Sequence, residues 1–476
     1  MIAMKKTGGS MIAALMLVLA LALSGCSGNG AGSGNGVGSG AGNGSGQGTA
    51  TDTPGGIVQG GESTSAGSGS QGNGQGKRKV VFATFWPDER FAEAKKKFEE
   101  LNPDIEIELQ YIDTNNSKLE ADLEKFVKTT NTAMLAGKGP DILEMDQLPI
   151  EQYVQKGLLV DLETLIERDA TFKREQYFAN ILDNAKVGGG LYGMPLSFFL
   201  MGFAGDVDSI AKAGVQVDDS SWTWDDFAAI GEKLVKGGAY KNAILSMPES
   251  ILTMMVMDDY ETFVDVKNRK ASFESQAFIG RMKEVKAMAE NGIIGDQRPY
   301  FFHAQINSPG DYMTTLNEFG GAEMRLYAKP HAKETGPGGY FRSYRTIGLS
   351  AASTVKQEAW KFIKFMMSDD ISATPLSAGF PINKALYEKG LEELRQTGTV
   401  KGHEEGPLHG ASVKVDDANL ERLTGYVNGA VHPVAYQASR LEELILQESA
   451  AFFSGQKTAE AVAKLIQNKA TTYLNE

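Results

Sequence analysis

Residues 79–145 switch repeatedly between two hydrophobic periods, and this alternation constrains the fold more than any other feature of the chain. KVVFATFW at 79–86 is nearly all apolar and rich in β-branched and aromatic residues. A strand buried on both faces of a parallel sheet has that pattern. Phe91, Ala94, Phe98 and Leu101 then recur at helical spacing with charges between them, and Asn102-Pro103 stops the helix. Residues 105–111 alternate apolar and polar as a second strand, 117–135 read as a helix, and GKGP at 137–140 breaks it before a third strand at 141–145. Strand, helix, strand, helix, strand predicts a doubly wound α/β layer.

The pattern continues less regularly. Residues 190–203 are strand-like with one proline; 206–213 and 223–235 read as helices, the second with Thr223 as cap and Asp226 three positions on. Residues 243–247 read as a strand, 275–290 as a long helix, 346–349 as a short strand and 355–367 as an amphipathic helix. Helices dominate from 417 to a last one at 458–474, and Tyr300, Phe301 and Phe302 fall in an expected loop. A body of about 400 residues exceeds what one core supports, so two domains are expected.

The first 76 residues belong to no core. Lys5 and Lys6 precede an apolar run at 11–23 that is shorter than the roughly 20 residues of a membrane span. Leu23-Ser24-Gly25-Cys26 matches a bacterial lipoprotein signal. Residues 1–25 therefore read as a cleaved signal peptide, and Cys26 as a thiol carrying diacylglyceryl. Cys26 is the only cysteine, which excludes an intramolecular disulfide. One acyl chain binds a bilayer marginally; two or three, palmitate among them, hold firmly. The tract to residue 76 is mostly Gly, Ser, Asn, Ala, Thr and Gln, a disordered linker with a root-mean-square reach of roughly 40 Å.

The net charge of −13 argues against a nucleic-acid partner. The five histidines are scattered, with no His-Glu-x-x-His and no Gly-x-Ser-x-Gly. No catalytic residue, metal or cofactor is expected.

Several segments resemble, in order along the body, the extracellular solute-binding proteins of bacterial ABC importers, in particular the sugar-binding group, family 1. They are Phe98-Glu99-Glu100-Leu101-Asn102-Pro103, Gly139-Pro140-Asp141-Ile142, Tyr192-Gly193-Met194-Pro195 and Thr223-Trp224-Asp225-Asp226-Phe227. Ala359-Trp360-Lys361-Phe362-Ile363-Lys364-Phe365 and Gly379-Phe380-Pro381-Ile382-Asn383 follow. The resemblance implies a two-lobe periplasmic-binding-protein-like fold of type II, with doubly wound sheets joined by a hinge. The lobes would comprise about 77–197 plus 343–382, and 198–342 plus 383–476. It further implies a monomer that closes on a mono- or oligosaccharide, docks on permease subunits, and is held to the membrane by its lipid. A ligand sensor of the same fold, a peptide or polyamine cargo, and a secreted glycan-degrading enzyme are the rival readings.

Sugars present C–H faces to aromatic rings and hydroxyls to Asp, Glu, Asn and Arg. Candidates of both kinds sit at strand ends and expected crossings. Trp86 and Asp88 follow the first strand, and Asp146 the third. Phe198 and Phe199 lie at the first crossing, and Trp222 precedes a helix. Tyr300 is placed in a loop, and Tyr340 and Arg342 near a later crossing. Asp88 also suits a helix N-cap, Trp86 could simply cover the sheet, and Trp224 and Trp360 read as core.

Overall fold

The alternation read from residues 79–145 forms one side of a large sheet. Strand Arg78–Ala83 pairs in parallel with Ile105–Tyr111 and with Ile142–Glu144. The intervening helices Glu89–Leu101 and Leu119–Leu135 bury Phe91, Ala94 and Phe98, and Phe126, Thr130 and Met134. Asp88 caps the first helix, its Oδ1 accepting from the Arg90 N–H at 2.8 Å. Thr223 and Asp226 form a reciprocal box at the start of Trp224–Gly237. Such caps contribute about 1 kcal/mol each.

The computed structural model describes residues 58–59, 76–115, 117–265, 268–318, 323–333, 335–370, 379–434 and 440–475. The expected signal peptide and Cys26 lie outside them. Within the tract read as linker, Val58–Gln59 pairs antiparallel with Tyr111 and Gln110.

Two long strands, Met194–Asp206 and Gly339–Leu349, carry the sheet from one lobe to the other. They run antiparallel, with Met194 opposite Ile347 and Met201 opposite Tyr340. The end of Gly339–Leu349 pairs with Ile142–Glu144 in the first lobe. The far half of Met194–Asp206 pairs with Pro299–Ile306 and Met324–Tyr327 in the second, and Asn242–Leu245 and Ile294–Gly295 extend that lobe. Twelve of the described strands thus form one mixed sheet running through both lobes, and two small two-stranded sheets lie outside it. Gly205 lets this crowding happen: a Cβ there would lie 2.7 Å from the Phe301 ring and 2.8 Å from the Tyr327 ring.

The apolar residues divide into two large clusters and a smaller one around Phe85, Phe126 and Tyr153. Val80, Phe82, Ile107, Phe198, Phe341, Ile347 and Phe362 belong to the first. Phe203, Trp222, Phe227, Ile244, Phe301, Ile445 and Ile466 belong to the second. Tyr387, Leu391, Leu420, Leu423 and Val427 pack into the first. Helices Lys384–Thr397 and Asp417–Gly429 therefore join the first core, whereas the sequence reading assigns everything after 382 to the second lobe. From Arg440 onward the helices do pack into the second.

Two elements differ from expectation. Residues 299–306 are a strand, not a loop, because backbone pairing with both Met194–Asp206 and Asn242–Leu245 claims them. The short strand expected at 346–349 is the end of an eleven-residue one.

Candidate functional site: the polar face of the crossing strands

Side chains alternate across a strand, so directly opposed residues of antiparallel neighbours share a face. Ser197 opposes Tyr344, Phe199 opposes Arg342, and Met201 opposes both Tyr340 and Gln305. The sheet therefore has two unlike sides at the crossing. One carries Phe198, Leu200, Phe341, Ala304 and Ile306, all buried in the first core. The other carries Tyr344, Phe199, Arg342, Met201, Tyr340 and Gln305, of which Phe199 and Tyr340 are buried, Met201, Arg342 and Tyr344 half-buried and Gln305 exposed.

That second face is laterally connected. The Phe199 and Tyr344 rings stack at 4.7 Å. Arg342 Nη1 donates to Gln305 Oε1 at 3.1 Å. His303 Nε2 lies 3.2 Å from Ser246 Oγ, next to the helix Pro248–Asp258 of the second lobe. At the other end the Arg345 guanidinium carbon lies 4.9 Å from the Tyr344 ring centroid.

Arg345 joins this face to the first lobe. Its guanidinium pairs with Asp88 at 2.6 Å. Its backbone N–H and that of Thr346 donate to the two oxygens of Asp146 at 2.7 and 3.0 Å. Arg345 has φ 51°, in the left-handed region, which costs a non-glycine residue roughly 1–2 kcal/mol. The bonds to Asp88 and Asp146 hold it there.

Asp88, Glu144 and Asp146 sit at the carboxyl ends of parallel strands or just beyond, where open α/β sheets receive ligands. Burial pushes the Asp146 carboxyl up despite its two backbone donors. Burial, with the Asp146 charge second, pushes Glu144 up to about 8. Burial and the nearby Arg345 charge push Arg90 down to about 10, and its Nη2 is buried with no hydrogen-bond partner. Trp86 stands over this end, 43% exposed and edge-on to Phe85 at 4.8 Å.

The structure gathers Trp86, Asp88, Asp146, Phe199 and Arg342 in this region. It places three other candidates inside the cores. Phe198 has no exposed surface and points to the opposite face. Trp222 is buried among Phe203, Phe227 and Phe301, its indole N–H donating to Ala328 O at 2.9 Å. Tyr300 is fully buried, its Oη accepting the Ala239 N–H at 3.1 Å. These aromatic groups fill volume, and their polar atoms are already used within the fold. Tyr340 shares the polar face but is 4% exposed, with Lys329 Nζ 3.6 Å from its ring centroid.

Tyr344, Arg345, Glu144, Arg90 and Gln305 were not foreseen. The signal for Tyr344 lay in GYFRSYRTIGL at 339–349, where Tyr340, Arg342 and Tyr344 alternate with Phe341 and Ser343.

Residues 87–292 match the family described as bacterial extracellular solute-binding protein. Three solved structures are similar over most of the chain. A periplasmic oligogalacturonide-binding protein from Yersinia enterocolitica is 18% identical, with a TM-score of 0.58, covering 83% of this chain and 99% of its own. The sugar-binding protein MalE of Xanthomonas citri is 16% identical, with a TM-score of 0.57, covering 83% and 97%. An ABC substrate-binding protein from Listeria monocytogenes, in complex with cycloalternan, is 19% identical, with a TM-score of 0.51, covering 84% and 99%. The chain shares with them the two-lobe periplasmic-binding-protein-like fold.

Proposed function

We propose that the chain, whose residues 87–292 match the family described as bacterial extracellular solute-binding protein, captures a carbohydrate between its lobes and delivers it to the permease of an ABC importer. The lipid on Cys26 tethers it to the outer side of the membrane.

The observation that carries the sugar reading is the two-sidedness of the crossing strands. Their back is core, while their front is continuous with Trp86 and the carboxylate–guanidinium cluster of the first lobe. A sugar ring fits flat against Trp86 or the Phe199–Tyr344 stack, worth about 0.5–1.5 kcal/mol beyond the area it buries. Its hydroxyls meet the unpaired Arg90 Nη2 and the Glu144 carboxyl, which is protonated near neutrality and so both donates and accepts. Gln305 and Ser246 reach it from the second lobe. A ligand bonded to both lobes favours the closed arrangement by its differential contacts there, and no covalent step is involved.

A thermal-shift screen against mono- and oligosaccharides tests the reading. A ligand at about 100 times its Kd stabilises the folded protein by about 2.7 kcal/mol. One sugar class raising the melting temperature supports it; release of shorter sugars on incubation overturns it. Cys26→Ala tests the tether separately, since the protein then leaves the membrane fraction.

A further inference from the structure

A cavity of about 620 Å³ reaches Met201 and Tyr340 at one end of the crossing-strand face but is lined by none of Trp86, Asp88, Phe199, Arg342 and Tyr344. Strand Met324–Tyr327, the start of Gly339–Leu349 and helix Asp417–Gly429 bound it. The volume is that of a small-molecule site. It is not closed off by side chains because the helix presents Gly425 and Gly429 one turn apart. A Cβ on either meets no atom within 4 Å.

The lining is chemically lopsided. Met201, Leu326, Tyr327 and Tyr426 make an apolar, partly aromatic wall. The charged groups are two guanidiniums and one carboxylate. Arg325 lies over the Tyr327 ring at 4.5 Å and pairs with Asp219 at 2.5 Å. The other Asp219 oxygen accepts the Ala328 N–H at 2.8 Å, so each oxygen of that carboxylate already has a partner. Arg422 donates to Asn419 at 2.7 Å and has no carboxylate partner among the described residues. Two positive groups against one negative leave a local excess of positive charge in a chain of net charge −13.

We propose that this cavity is a second ligand site, for a small amphiphilic anion whose flat apolar body lies on the tyrosines and whose negative group meets Arg422. A guanidinium beside an apolar wall binds a carboxylate or sulfonate with a charge-assisted bond, strengthened by the reduced hydration there. The site shares Met201 and Tyr340 with the face of the crossing strands, but the groups that define it, Arg422, Tyr426 and Gly425, lie on another helix, and its test uses no sugar.

The probe is 8-anilinonaphthalene-1-sulfonate, titrated by fluorescence into the full chain without sugar. The expected result is one saturable site. Gly425→Leu fills the open space while replacing a helix-interior glycine by a better helix former, so the fold is kept, as its circular dichroism checks. It should weaken the dye at least about tenfold by occupying its volume. Arg422→Gln should weaken it about threefold to tenfold by removing the charge. Absence of saturable binding, or unchanged affinity in either variant, overturns the proposal.

Discussion

Arg345 and Asp88, 257 residues apart in sequence, are joined by a 2.6 Å ion pair that fastens a crossing strand to the start of the first helix. The same carboxylate caps that helix through its other oxygen. Both side chains are largely buried, at 12% and 15% exposed. One residue thus caps the helix and holds Arg345, whose guanidinium lies 4.9 Å from the Tyr344 ring centroid.

Asp88→Asn separates these roles, because asparagine caps a helix as well as aspartate does. Breaking a buried pair by losing one partner costs about 3–5 kcal/mol, and the retained amide oxygen reduces that to about 2. Urea unfolding should show this loss. A change below about 0.5 kcal/mol would mean that the pair is solvated in solution.

Trp86 should behave in the opposite way. Trp86→Ala removes an exposed ring whose aromatic contact is with Phe85. Sugar affinity should fall at least about tenfold, while unliganded stability falls by about 1 kcal/mol or less. Calorimetric titration and unfolding of the same preparation separate the two effects.

Tyr300→Phe tests the opposite assignment. It strips the acceptor from the Ala239 N–H inside the second core. Stability should fall by about 1–2 kcal/mol with sugar affinity unchanged.

Glu144 gives the protein a pH dependence. Its carboxyl holds a proton more tightly folded than unfolded, with a folded value of about 8 against an ordinary 4.5. The folded state therefore carries the extra proton between those values, and stability should fall as pH rises through that window. Asp146, also pushed up by burial, adds in the same direction at the lower end. Urea midpoints at pH 5 and pH 8 should show the decline, and Glu144→Gln should remove most of it. A midpoint independent of pH in the wild type contradicts this placement.

The sequence was most readable where local period and burial agree. Phe91, Ala94 and Phe98 mark a helix face because all three pack on the sheet. Thr223 and Asp226 are a box because capping is decided within four residues. Trp222 and Tyr300 were misread for a physical reason: a core and a sugar cleft both demand aromatic rings, and only the neighbours decide which. Arg345 was hidden because its role depends on two carboxylates from distant strand ends. Pro299–Ile306 was hidden because its strand character comes from partners on both sides.

A crystal structure with the best sugar from the screen tests the central claim most directly. The account predicts a sugar ring packed on Trp86 or Tyr344, with hydroxyls bonded to groups of both lobes and the lobes closed on it. Sugar bound elsewhere, with the front of the crossing strands left empty, would contradict it.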